Sequence, residues 1–183
     1  TLMLLWQEYA AEHAAQRAAQ QADVILLAVK PFQAAEVVRE IAGVTGKEKM
    51  LISVVTGVTI AELAKELNGE TAIFRAMPNT AIAIRESMTC VGYTRADAAQ
   101  VEWVMALFNQ LGRVAIIDEK LMDAATVLGA CGTAYAMRYI RANIQGGIEI
   151  GFDAATASLI AAQTVKGAAE LLLQKGTHPE QEI

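Results

Sequence analysis

The sequence predicts an α/β domain followed by an all-α domain, with the boundary at residue 118. Three observations lead there. From Ala22 to Ile117, short apolar runs alternate with amphipathic helical stretches, the pattern of strands joined by crossover helices. After Asp118 the strand signals stop, and residues 119–183 read as helix throughout. Hydrophobic residues make up 54% of the 183 and charged residues only 19%, which is enough for a sizeable core with apolar surface left over. The expected domains are therefore 1–118 and 119–183.

The elements follow in order. "TLMLLWQEYAAEHAAQRAAQQ" opens on an apolar run and becomes an alanine-rich helical stretch. The run Val24–Val29 has no alternation, as expected of a parallel strand covered on both faces. Pro31 suits the first position of a helix over Phe32–Ile41. Leu51–Val55 is the next strand, and Gly57 follows it. In "TIAE", Thr59 and Glu62 have capping-box spacing, each able to satisfy an amide at a helix start. Asn68-Gly69 ends that helix. "TAIFRAM" and "SMTCVGY" read as strands. Val101, Val104, Phe108 and Leu111 then share one helical face, Gly112 stops that helix, and "RVAII" returns to strand.

In the second half, Arg138, Arg141 and Gln145 share one face of a long helix, and Ala136, Tyr139, Ile140 and Ile144 the other. Breaks are expected at Gly146-Gly147 and near Gly151. The helix from about Asp153 to Lys175 is apolar almost all round and needs cover on several sides. Some sixty-five residues cannot wrap it fully. A second copy of the chain is the expected cover.

The net charge of −5 and the lack of a basic stripe argue against nucleic acid. The longest apolar runs are far short of a membrane span of ~20 residues. The opening residues lack the basic region and cleavage site of a secretory signal. Cys90 and Cys131 show neither metal spacing nor a disulfide framework, so no metal is expected and a reducing, cytoplasmic setting is.

Candidate chemistry lies at strand ends, because in open α/β sheets ligands bind where the carboxyl ends of strands meet helix starts. The loops "VKP" at 29–31, "VTG" at 55–57 and "RAMPNT" at 75–80 could line one crevice of a parallel sheet. Gly57 would let the backbone approach a ligand. Asn79 brings an amide that both donates and accepts. Turn chemistry alone explains any one of these loops. Glu119 and Asp123 stand one helical turn apart and face the same way, either as charges favoured at a helix start or as acids in a cleft. His13 and His178 have no nucleophile at motif spacing.

Taken together, "ADVILLAVKP", "ISVVTGVTIAEL", "RAMPNTAIAIRESMT", "LFNQLGRV", "LMDAATVLGACGTAYAMRYI", "GGIEIGF" and "AAQTVKGAAELLLQKGTHPEQ" resemble the pyrroline-5-carboxylate reductase family in order and spacing. The resemblance runs from Ala22 to the end. It implies a Rossmann-type, doubly wound domain followed by a helical domain that interlocks with its twin in a homodimer, sometimes within a decamer. It also implies reduction of a small cyclic imine, Δ1-pyrroline-5-carboxylate, to L-proline with NADP or NAD as cofactor. By position, Ala28, Val29, Lys30 and Pro31 match the family's cofactor-contacting strand end. Val54, Val55 and Thr56 match a second cofactor segment, where small residues are more usual. Glu119 matches a carboxylate that lines the substrate site.

Three features depart from the family. "ACGTAY" stands at 130–135 where "GSGPAY" is usual, with Thr133 in place of proline. The sequence contains no G-x-G-x-x-G to hold a pyrophosphate. It also lacks the serine/threonine–proline–glycine loop that follows "HPEQ" in the family. Both missing pieces belong at the ends, so they are expected to lie outside this chain. Two alternatives stay open. One is another two-domain dehydrogenase of prephenate or hydroxyacid type, which would need a histidine or lysine acid/base near the domain junction. The other is a non-catalytic, dimeric dinucleotide-binding module.

Overall fold

The computed structural model describes residues 2–5, 14–67 and 69–183. Two compact units divide at Cys131 and Gly132. The division falls later than the expected 118 because the segment after Glu119 packs on the sheet of the first unit.

The first unit is a six-stranded sheet: β1 (Leu2–Leu5), β2 (Val24–Leu27), β3 (Met50–Ser53), β4 (Ala72–Met77), β5 (Ser87–Thr94) and β6 (Gly112–Ile116). Spatial order equals chain order. β1 through β4 are parallel, β5 runs antiparallel to β4, and β6 is parallel to β5. β1 extends the expected architecture, for its "LMLL" read only as an apolar run. The reversed β5 departs from a purely parallel sheet. A parallel pair needs a long crossover, whereas only residues 78–86 separate β4 from β5, including a 3₁₀ turn over Thr80–Ile84.

That reversal decides where the helices go. α1 (Ala14–Gln21), α2 (Pro31–Ile41) and α3 (Ile60–Glu66) join parallel strands that advance in one direction, so right-handed crossovers put all three on one face. α4 (Ala98–Asn109) joins β5 to β6 in the same direction, but along reversed strands. The same handedness therefore lands it on the other face. The core follows this rule. Ile25, Leu27, Leu51 and Ile73 pack under α1–α3, while Val24, Ile52, Phe74 and Val91 pack under Val104 and Phe108 of α4. Alternate residues of one strand thus serve opposite layers, which is why the strands read as unbroken apolar runs.

Local chemistry fixes the element ends. Thr59 and Glu62 form the expected capping box, with Thr59 N–H to Glu62 Oε2 at 2.8 Å and Glu62 N–H to Thr59 Oγ1 at 3.2 Å. Asp97 and Gln100 form a second box at the start of α4. α3 ends at Glu66 and Gly69 follows with φ of 94°; Asn68, half of the expected stop, lies outside the described residues, as does His13. Lys49 Nζ donates to the carbonyls of Ala19, Gln20 and Ala22, a cation on the negative end of α1. β2 and β3 are shorter than expected, since Ala28–Val29 and Val54–Val55 already belong to the loops. Gly112, at φ of 140°, lies so close to β5 that an added Cβ would stand 2.1 Å from Ser87 O.

After β6 come a 3₁₀ turn over Glu119–Leu121, α5 (Met122–Ala125) and a π-helical turn over Thr126–Ala130. The second unit holds α6 (Gly132–Glu149), α7 (Ala154–Lys175) and a terminal turn of helix, α8 (Pro179–Glu182). Gly146-Gly147 does not break α6. A Cβ on Gly147 would lie 3.1 Å from Ala157 Cβ, so this glycine is a notch that lets α7 pack closely. The turn comes at Gly151, with φ of 114°. Asp153 caps α7 by accepting from the amides of Ala155 and Thr156, both at 3.0 Å. Within α6 and α7 only Ala157 and Ala161 are buried. Among the described residues, no helix is long and apolar enough to cross a membrane.

Candidate functional site

Parallel register sets Leu27, Ser53 and Arg75 side by side, so the loops leaving β2, β3 and β4 emerge at one edge. At the first, Lys30 precedes α2 in extended geometry (φ −67°, ψ 147°) and its side chain makes no capping bond. Its N–H donates to Gln33 Oε1 at 3.3 Å and its carbonyl accepts from Gln33 N–H at 2.9 Å. Lys30, Pro31 and Phe32 are exposed, with Ala28 and Val29 half-buried behind them.

The second loop is tied at its start, where Val54 N–H donates to Leu27 O at 3.0 Å and Val55 N–H to Ser53 Oγ at 3.3 Å. Val55 belongs to the core; Thr56 and Gly57 face solvent. Gly57 has φ of 77°, and nothing lies within 4 Å of where its Cβ would stand. At the third loop, Asn79 is fully engaged. Its N–H donates to Ser87 Oγ at 3.1 Å, its Oδ1 accepts from Ala81 N–H at 3.1 Å, and its Nδ2 donates to Gly129 O at 3.4 Å. Asn79 thus shapes the turn with its whole side chain.

Glu119 and Asp123 do face the same way, and what they face is Arg75. This arginine of β4 is 3% exposed. Its Nη1 lies 3.3 Å from Glu119 Oε1 and its Nη2 3.5 Å from Asp123 Oδ1, while its Nε is buried without a partner. Glu119 Oε1 also accepts from Ile60 N–H at 2.6 Å. Gly92, opposite Arg75 in the ladder, leaves room for this: a Cβ there would sit 3.4 Å from Glu119 Cα. Hydrogen bonds from the Thr59 amide and hydroxyl hold the neighbouring Glu62 carboxyl below its usual range, and Arg75 and Lys65 add to the effect. Arg75 is the functional candidate missing from the sequence reading, and its one signal was an arginine inside the apolar run "IFRAM". Among the described residues, no group of histidine, cysteine and carboxylate side chains could hold a metal ion.

The edge and the helices after it match known proteins. The pyrroline-5-carboxylate reductase dimerisation family matches residues 119–183, and the coenzyme F420-dependent NADP oxidoreductase family matches residues 3–57, both strand-end loops included. Pyrroline-5-carboxylate reductase 2 of Dictyostelium discoideum is 40% identical over 181 residues, covering 91% of this chain and 60% of that protein. In both parts the chain is similar to pyrroline-5-carboxylate reductases. Pyrroline-5-carboxylate reductase 2 of Bacillus subtilis is 36% identical over 86% of this chain and 57% of its own length. The chain thus spans about three fifths of the length of these two relatives. A crystal structure of Plasmodium falciparum pyrroline carboxylate reductase with NADP bound superposes with a TM-score of 0.86 at 26% identity, covering 97% of this chain and 70% of that one. The Rossmann-like sheet followed by helices is therefore the family's fold.

Proposed function

We propose that the protein reduces Δ1-pyrroline-5-carboxylate to L-proline with NADPH or NADH, in the cytoplasm, as a homodimer joined through its helical unit. The observation that carries this reading is the strand-end edge. Three loops meet there, and at Gly57 the backbone is bare where any other residue would present a side chain. That open backbone fits a dinucleotide. Main-chain groups of Ala28–Pro31 and Val54–Gly57 beyond those already bonded within the chain would hold it, those of exposed Thr56 and Gly57 foremost, and Asn79 keeps the adjoining turn in shape.

The bound dinucleotide supplies a hydride. The protonated imine needs little acid–base help: as its C=N carbon takes the hydride, the π pair moves to nitrogen, leaving a neutral secondary amine. The work left to the protein is alignment and exclusion of water. Val29 and Val58, half-buried at the edge on the α1–α3 face, offer an apolar wall for this. The exposed apolar side chains of α6 and α7 support the homodimer.

The test is NADPH oxidation by the full-length protein on addition of the imine, with the product identified. Stoichiometric L-proline is expected, and no turnover by the wild type would overturn the reading. Lys30→Ala should keep most activity, because main-chain groups do the binding. Pro31→Gly should raise the dinucleotide KM more, by loosening the turn.

A further inference from the structure

We infer that Glu119 is a positioning residue for the β3–α3 loop, acting as the middle of a bridge from Arg75 to the amide of Ile60. The inference rests on the reading of that loop as a dinucleotide segment. A helix start leaves four amides without intrahelical partners. The capping box of α3 supplies acceptors for two amides, those of Thr59 and Glu62. It does not reach Ile60 N–H. That amide is served at 2.6 Å by Glu119, 59 residues away in sequence.

The same carboxylate oxygen faces Arg75, and this keeps it in place. Removing one partner of a buried ion pair strands the other charge. Arg75 has Asp123 as its second carboxylate, at 3.5 Å and on an almost fully exposed side chain. Glu119 therefore cannot swing to solvent without leaving a buried guanidinium poorly compensated. The loop is thus fastened at both ends, by the Val54 and Val55 amides at its start and the Ile60 amide at its finish. Between them lie Thr56 and Gly57, exposed and open to a ligand. With the downstream fastening cut, binding must order the loop, and affinity falls by that ordering cost. The effect falls on the dinucleotide and spares the imine.

The experiment compares full-length wild type, Glu119→Ala and Glu119→Gln. NADPH affinity is read by fluorescence titration, the imine KM at saturating NADPH, and loop order by hydrogen exchange over residues 54–60 without ligand. Glu119→Ala should weaken NADPH binding about tenfold, the scale of one charge-assisted hydrogen bond. It should also speed exchange in the loop and leave the imine KM unchanged. Glu119→Gln keeps an acceptor for Ile60 N–H and should recover most of both losses. Ile60→Pro removes the donor, at a helix position proline accepts, together with a buried side chain that Ile60→Ala also removes. It should weaken NADPH binding more than Ile60→Ala does, which keeps the test sharp if Glu119→Ala fails to fold. A lower kcat/KM for the imine with unchanged NADPH affinity would overturn the inference and make Glu119 a substrate contact. Unchanged affinity and exchange in every variant would also overturn it. A wild type that binds no dinucleotide would instead remove the reading of the loop, and the inference with it.

Discussion

Ile52 and Phe74, in the α/β unit, lose all solvent contact to their own chain, whereas Leu159 and Ile150 of the helical unit keep 69% and 79% exposure. The residues have the same chemistry and differ in layering. A sheet with helices on both faces offers two interiors, and alternate strand residues fill both. Two antiparallel helices offer one seam, and small residues occupy it: Gly147 against Ala157, with Ala161 nearby. A close seam brings the helices together but leaves their larger side chains pointing outward. The α/β unit thus buries a core of its own, whereas the helical unit buries almost none and needs cover, which the proposed homodimer would supply.

The comparison breaks hardest at Gly112. Its φ of 140° and the 2.1 Å approach of Ser87 O leave a side chain no room against backbone. Gly112→Ala should cost the α/β unit about 3 kcal/mol or more, read from denaturant titration. A loss below ~1 kcal/mol would mean that β5 and β6 separate easily. Leu159→Asp comes next and sharpens the contrast. On an uncovered surface it would change little, but in a dimer seam it buries a carboxylate, so aggregation or loss of the dimer is expected by sedimentation. An unchanged, well-behaved oligomer would place Leu159 outside the interface.

The smallest effect concerns Asp153. Hydrogen bonds from Thr156, with help from Ala155, hold its carboxyl below the ordinary range. A depressed folded-state value means that the unfolded chain takes up the proton first. The cap's contribution is therefore complete above the ordinary carboxylate range and is lost as pH falls through the lower, folded value. Asp153→Asn keeps a capping oxygen without the titration. Its melting temperature should fall less on acidification than that of the wild type, by circular dichroism.

What could be read from sequence was local. The Thr59–Glu62 box needs only neighbours four residues long, and the core runs of β2 to β4 announce themselves by composition. The rest depended on partners far along the chain. Gly146-Gly147 reads as a break until α7 is in place to show that the pair marks a close approach. Arg75 reads as a polar interruption because its carboxylates arrive 44 and 48 residues later. Glu119 and Asp123 were visible as a pair, but the arginine they meet was not. The direction of β5 is absent from its composition, and only the shortness of the 78–86 connection hinted at it.

That reversed strand has a consequence for how the molecule comes to be folded. Every parallel pairing in the sheet must wait for an intervening helix to close a long loop, whereas β4 and β5 are held close by a short connection, with Met77 opposite Cys90. Pairings of low sequence separation lose less chain entropy and form sooner. The antiparallel β4–β5 pair is thus the natural nucleus of the α/β unit. From it, assembly can spread in two directions, toward β3 under one helical layer and toward β6 under the other. A mutational survey of refolding rates should find its strongest effects at Phe74 and Val91, and its weakest at the far side of the sheet around Ile25.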